Sequence, residues 1–136
     1  MQHYLRAIYN LGQEQDRVSV TALAKAQSVS PASASAMVKK LAALDLAEHA
    51  PYRGISLTPA GEQVALEVIR HHRLLELYLA ETLGLDVEAV HEEADRLEHA
   101  ISEELEERID RALGYPTHDP HGDPNPDKNL EWPATS

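Results

Sequence analysis

Residues 28–40 read SVSPASASAMVKK, and the first half of the fold turns on this stretch. Ser30 followed by Pro31 is a helix start. A serine oxygen accepts from the N–H groups that a first turn leaves over, and proline has no N–H to lose there. From Pro31, Ala34, Met37, Val38 and Leu41 fall on one helical face, which predicts a helix over PASASAMVKKLAALDL, 31–46. Upstream, SVTALAKAQ (19–27) turns Val20, Leu23 and Ala24 inward, and Tyr4, Ile8 and Leu11 predict an earlier helix over 3–14. Helix, short turn, helix, with small residues opening the second, is the helix-turn-helix pattern.

Downstream, Ala47–Ala50 and Ile55–Leu57 read as two short strands around the turn-forming PYRG, with Gly54 available for positive φ. A hairpin placed there is a wing. TPAGE (58–62) then opens a long helix, with Thr58 as cap, Pro59 in the first position and Glu62 in the first turn. It is expected to run to about Leu83, with Gly84 as the stop. A helix capped by Asp86 follows over Val87–His99, then a break near Ser102 and a last helix ending at Leu113. The tail holds Pro116, Pro120, Pro124, Pro126 and Pro133 and reads as loop or linker. The expected domains are 1–60, a winged helix-turn-helix; 61–115, helical, with 61–83 as a linking helix; and 116–136, a partly ordered tail. The fold class is mainly α with a small β-hairpin wing.

Charge divides the chain the same way. Residues 1–58 carry six Lys and Arg against four acids, whereas the remainder carries six against nineteen. The first half suits a polyanion and the second suits cations. On the predicted recognition helix, Ser30, Ser33 and Ser35 can bond phosphates or base edges. Pro31, Ala32 and Ala36 can touch thymine methyls, and Lys39, Lys40 and wing residue Arg53 can reach phosphate. The plainer reading is a small-residue helix packed in an ordinary three-helix core. With no Arg, Asn or Gln on that helix, DNA shape and dimer spacing are expected to carry much of the specificity.

HEEADRLEH (91–99) raises a second question. Val87, Val90, Ala94, Leu97 and Ile101 form the expected core stripe, and His91, Asp95, Glu98 and His99 line its edge. Such donors either form a solvated acidic face or converge on a divalent cation. Imidazole and carboxylate without thiolate suit Mn, Fe, Zn or Ni. HEEAD departs from the zinc-peptidase pattern H-E-x-x-H at its fifth residue. His72 and Glu76 are a second pair one turn apart, and His118, Asp119, His121 and Asp123 crowd the tail. Each has a bland reading, as a surface pair and a solvated turn.

The 136 residues include no cysteine and no phenylalanine, so disulfides and thiolate sites are excluded and the core must be aliphatic. No apolar run approaches the ~20 residues of a bilayer span and no leader precedes the first helix, so a cytoplasmic protein without membrane contact is expected. No nucleophile–base pair or phosphate-cradling glycine loop is present, so no enzyme is expected.

Taken in order, YLRAIY (4–9), LTPAGE (57–62), HHRLLE (71–76) and GLDVEAVHEEADRLEHAISEELEERI (84–109) resemble the diphtheria toxin repressor / manganese transport regulator family of metal-dependent transcription repressors. The resemblance reaches about residue 126. It implies a winged helix followed by a helical dimerisation domain, a homodimer, and a palindromic double-stranded DNA operator. It implies a primary metal site of His3, Asp95, Glu98 and His99, and an ancillary site of His72, Glu76 and His91. In some relatives the PHG loop adds ligands, here Asp119 and His121. Mn(II) is the expected activating metal and Fe(II) the alternative; Zn(II), Co(II), Ni(II) or Cd(II) would also occupy such donors in vitro. His3 departs from the family's common patterns. The rival readings are a winged-helix regulator indifferent to metal, and a metal-binding protein with no DNA function.

Overall fold

The structure is a computed structural model that describes residues 2–50, 52–98, 100–119, 122 and 124–133. It divides into two compact units, Met1–Ala65 and Leu66–Ser136. The division falls inside a helix, five residues beyond the boundary expected at residue 60, and groups the tail with the second unit.

The first unit holds α1 (Gln2–Leu11), α2 (Val20–Gln27), α3 (Pro31–Ala43), the strands β1 (Ala47–Ala50) and β2 (Gly54–Leu57), and the start of α4 (Pro59–Leu77). Ser19 and Ser30 cap α2 and α3 by accepting from Ala22 N and Ser33 N. Each such cap is worth about 1 kcal/mol. The apolar spacing seen in the sequence closes one core of Leu5, Ile8, Val18, Leu23, Val38, Leu41, Ala47, Ile55 and Ala65. Two helices stop sooner than expected. α1 ends before Gly12 and the polar run behind it, and α3 gives way at Leu44 to Asp45 at φ 59°, a left-handed position that aspartate tolerates.

β1 and β2 pair antiparallel, Ala47 opposite Leu57 and Ala50 opposite Gly54. Val18 adds a single rung, exchanging hydrogen bonds with Ile55 at 2.8 and 2.7 Å. Gly54 is required twice. Its φ is +101°, and a Cβ there would sit 2.8 Å from the Val18 carbonyl oxygen. Gly61 is required by closeness alone, because a Cβ would lie 1.8 Å from the Leu46 oxygen. The wing and the entry of α4 are therefore locked to the helix-turn-helix by backbone contacts that only glycine permits.

The second unit holds the rest of α4, α5 (Val87–Leu97), α6 (Glu103–Ala112) and the tail. α4 widens at its end into a π-helical turn over Tyr78–Thr82, with Leu83 N donating to the Tyr78 oxygen five residues back. Gly84 at φ 70° then terminates it. Asp86 and Ser102 cap α5 and α6. One core cluster joins Leu74, Leu75, Ala94 and Ile109, with Tyr78, Ile101 and Leu113 packed around it, and Leu66, Val68, Ile69, Leu77, Leu79 and Val90 are buried besides.

The expected core stripe of α5 is corrected in part. Val90 and Ala94 are buried, but Val87 and Leu97 are each about two-fifths exposed. Leu83, Leu85 and Leu105 are exposed too. The tail is loop as expected, yet it is not merely solvated: Asp119, Asn125 and Pro126 are buried. Asn125 N bonds the Thr117 oxygen at 2.8 Å, and Arg70 Nη1 donates to the Pro126 oxygen at 3.1 Å. Among the described residues no helix is long and apolar enough to cross a membrane.

Candidate metal centre and DNA-facing surface

The second unit gathers His72 and Glu76 from α4 with His91, Asp95 and Glu98 from α5 and its C-cap. His72 is the hub. Its Nδ1 lies 2.6 Å from Glu98 Oε2 and 3.2 Å from Asp95 Oδ1. Its Nε2 lies 3.2 Å from Glu76 Oε1 and 3.1 Å from His91 Nδ1. His91 in turn approaches Glu76 Oε2 at 3.7 Å and Asp95 Oδ2 at 3.6 Å. One ligand atom from each of His72, His91 and Asp95 lies within 4.8 Å of the others, which fits the requirement for a shared cation. Helical spacing explains the convergence. Residues 72 and 76 share one face of α4, and 91, 95 and 98 share one stripe of α5, so two facing helices supply five donors.

Burial lowers the pKa of His72, but hydrogen bonds and charge from Glu76 and Glu98 outweigh it, and the value rises to about 9. A protonated His72 donates from both ring nitrogens. The proton is a small cation held by a ring of carboxylates. Metal-ligating imidazole must be neutral, so loading this cluster at neutral pH displaces that proton.

The five donors belong to both inferred sites. His72, Glu76 and His91 come from the ancillary set, and Asp95 and Glu98 from the primary set; the chain brings them together into one continuous cluster. His3 lies in the first unit, on α1, where Arg6 Nη2 donates to its Nδ1 at 3.0 Å. Asp119 is buried in the tail with the Arg73 guanidinium 4.0 Å away, outside the cluster of five. His99 and His121 lie outside the described residues.

On the first unit, Ser30, Pro31, Ala32, Ser33, Ala36, Lys39 and Lys40 are exposed along α3, with Ser35 half-buried and Arg53 exposed on the wing. Ala34, Val38 and Leu41 are buried on the other face. The small-residue face is thus turned to solvent, not packed in the core. Ser30 spends its acceptor on the cap and donates its proton to Ser33 Oγ at 3.0 Å.

Two features escaped the sequence reading. Tyr52, at φ 68°, is fully exposed beside Arg53 at the tip of the wing. Arg70, Glu106 and Asp110 form a buried ionic cluster in the second unit, with half-buried His71 at its edge. Arg70 Nε meets Glu106 Oε1 at 2.7 Å, Arg70 Nη2 meets Asp110 Oδ2 at 2.9 Å, and His71 Nε2 meets Glu106 Oε2 at 2.7 Å. The one trace in the sequence is the acid pair at 106 and 110 flanking Ile109 on α6. Burial opposes protonation of His71, but the Glu106 carboxylate and the Glu98 backbone carbonyl outweigh it, so its pKa is raised.

Comparison with known proteins agrees with this anatomy. Residues 1–55 match the iron dependent repressor N-terminal DNA binding domain, and residues 58–127 match the iron dependent repressor metal binding and dimerisation domain. The chain belongs to the iron-dependent repressor family. Domains of this family are those of DNA-binding transcriptional repressors, not of enzymes. This family member is 38% identical over 110 residues to an HTH-type transcriptional regulator of Methanocaldococcus jannaschii, covering 80% of this chain and 88% of that one. It is 37% identical over 123 residues to the diphtheria toxin repressor of Corynebacterium efficiens, covering 90% of this chain but only 54% of the relative. A solved manganese-dependent transcriptional repressor in complex with manganese superposes with a TM-score of 0.88 at 43% identity, covering 98% of this chain and 62% of that one. The chain therefore spans about half to two-thirds of the two longer relatives.

Proposed function

We propose that this chain acts in the cytoplasm as a metal-activated repressor of manganese or iron homeostasis genes, binding a palindromic operator as a homodimer. The observation that carries the proposal is the five-donor cluster around His72, built into the unit that follows a winged helix with its small and basic residues exposed. A solvated acidic face would not bury His72, Glu76 and Glu98 to between 3% and 6% exposure.

The proposed ligands are His3, Asp95, Glu98 and His99 for the primary site and His72, Glu76 and His91 for the ancillary one, with Asp119 and His121 in addition. A bound divalent cation supplies the positive charge that these carboxylates otherwise find in a proton. The donors are nitrogen and oxygen only, which favours Mn(II), with Fe(II) as the alternative. A cation shared by His3 and the other primary donors would tie the DNA-binding unit to the metal-binding unit. A two-fold dimer reads a palindrome only when its two recognition helices are spaced about one DNA turn, ~34 Å, or a multiple apart. Operator affinity then scales with the fraction of molecules held in that arrangement. Ser30, Pro31, Ala32, Ser33, Ser35, Ala36, Lys39, Lys40 and Arg53 are the proposed DNA contacts. The domains follow as 1–60 for DNA and 61–115 for metal and dimerisation. The exposed leucines 83, 85, 97 and 105 with Val87 supply apolar surface for a second copy.

Fluorescence anisotropy on a palindromic operator candidate from the protein's own genomic neighbourhood tests this. Wild type and Glu98→Ala are titrated metal-free, with Mn(II), with anaerobic Fe(II) and with Zn(II). Tight binding is expected with Mn(II) or Fe(II) and is lost in the variant. Equal binding in chelator and in metal would leave a winged-helix protein without a metal switch.

A further inference from the structure

Glu98 is gripped twice from one helix. His72 holds its carboxylate at 2.6 Å, and its backbone carbonyl faces the neighbouring His71 and helps to raise that group's pKa. That carbonyl belongs to the C-cap of α5, one of the groups a helix end leaves without an intrahelical donor. His71 Nε2 meets Glu106 on α6 at 2.7 Å, and the same carboxylate meets Arg70 at 2.7 Å. Arg70 is buried; its Nη2 and Nη1 donate to Asp110 and to the Pro126 oxygen, and its Nε lies 2.7 Å from Glu106 Oε1 as a charge contact. Three consecutive residues of α4 thus point to three places. Arg70 reaches α6 and the tail, His71 reaches α6 and the end of α5, and His72 enters the metal cluster.

We propose that Arg70 and His71 are positioning residues for that cluster, a clamp with Glu106 and Asp110 that fixes the end of α5 and the tail against α4. The inference rests on reading His72, Glu76, His91, Asp95 and Glu98 as ligands. The cluster needs such a clamp because its ligands sit on two helices whose spacing must hold to a fraction of an ångström. An arginine is required at 70, since only a planar fork meets two carboxylates and a carbonyl at once. Lysine keeps the charge and loses the fork.

The test uses the full chain, with Mn(II) affinity and stoichiometry read by electron paramagnetic resonance and thermal midpoints read by calorimetry. The variants are Arg70→Lys, His71→Leu, His71→Gln, Ile109→Ala and Glu98→Ala. Each affinity is measured well below that variant's own midpoint. Arg70→Lys and His71→Leu are expected to weaken Mn(II) binding about ten- to hundredfold, the usual range for groups that orient ligands. His71→Gln, which keeps a donor for the Glu98 carbonyl, should recover part of the loss. Ile109→Ala should lower the midpoint while moving Mn(II) affinity less than about twofold. The proposal is overturned if Arg70→Lys and His71→Leu bind Mn(II) as wild type does while Glu98→Ala does not. It is also overturned if Ile109→Ala loses as much affinity as they do, since the role would then be stability alone. Wild type that binds no Mn(II) would instead sink the ligand reading beneath it.

Discussion

The two units bury different things. Among the described residues, the first unit closes on aliphatic side chains, and Thr58 is its single buried polar residue. The second has an aliphatic core too, but it also buries Arg70, His72, Glu76, Glu98, Glu106, Asp110, Asp119 and Asn125. The first keeps its functional groups outside, on α3 and the wing, where a polyanion can reach them. In the second, three of the proposed ligands, His72, Glu76 and Glu98, are buried, where charge must be balanced by charge. The core of the first unit therefore owes its stability to apolar packing. The second unit adds buried charge to its apolar packing, so protonation of groups such as His72 contributes to its stability.

The largest effect that would sharpen this contrast comes from the apolar core. Leu41 is fully buried in the first unit, and Leu41→Ala should cost about 2–5 kcal/mol by urea denaturation. That loss should be the same in chelator and in Mn(II); a loss that saturating metal offsets would break the comparison.

A smaller effect should appear on titration, and in the second unit only. The pKa of His72 is raised from 6.5 to about 9 in the folded chain. Its contribution to the metal-free protein is full below about pH 6.5 and is lost as pH rises through about 9. Metal runs the other way. Where one proton is displaced, Mn(II) affinity should rise up to about tenfold per pH unit across that window. Calorimetric titration at pH 6.5, 7.5 and 8.5 checks the slope, and a flat profile would show that His72 is neutral before metal arrives. The ordinary histidine range would have set this window near ~6; the facing carboxylates move it upward.

Least visible in stability should be the exposed basic residues of α3. Lys39→Ala should leave the unfolding free energy within about 0.5 kcal/mol. The same change should reduce the salt slope of operator binding by about 1. A slope unchanged within error would remove Lys39 from the DNA interface.

Much of this was legible along the chain, for a local reason. Ser30 before Pro31, the apolar rows of α2 and α3, and the PYRG turn each act within a few residues, so the winged helix-turn-helix followed from spacing and turn chemistry. The donor spacing on α4 and α5 was equally local, and the family resemblance supplied the ligand grouping. What spacing cannot carry is which stripes face each other. Val87 and Leu97 sit on the apolar row of α5 and yet are substantially exposed. Arg70 and His71 had no partner legible in the sequence, because theirs lie on α6 and in the tail. His72 looked like half of a surface pair, and only the approach of α5 made it a hub with a displaced pKa. The sequence by itself determined the elements, their caps and the chemistry available on each helix face, because these depend on neighbours in the chain. The tertiary structure decided which charges are buried together and hence which ones titrate, because that depends on neighbours across helices, where burial and opposing charge compete.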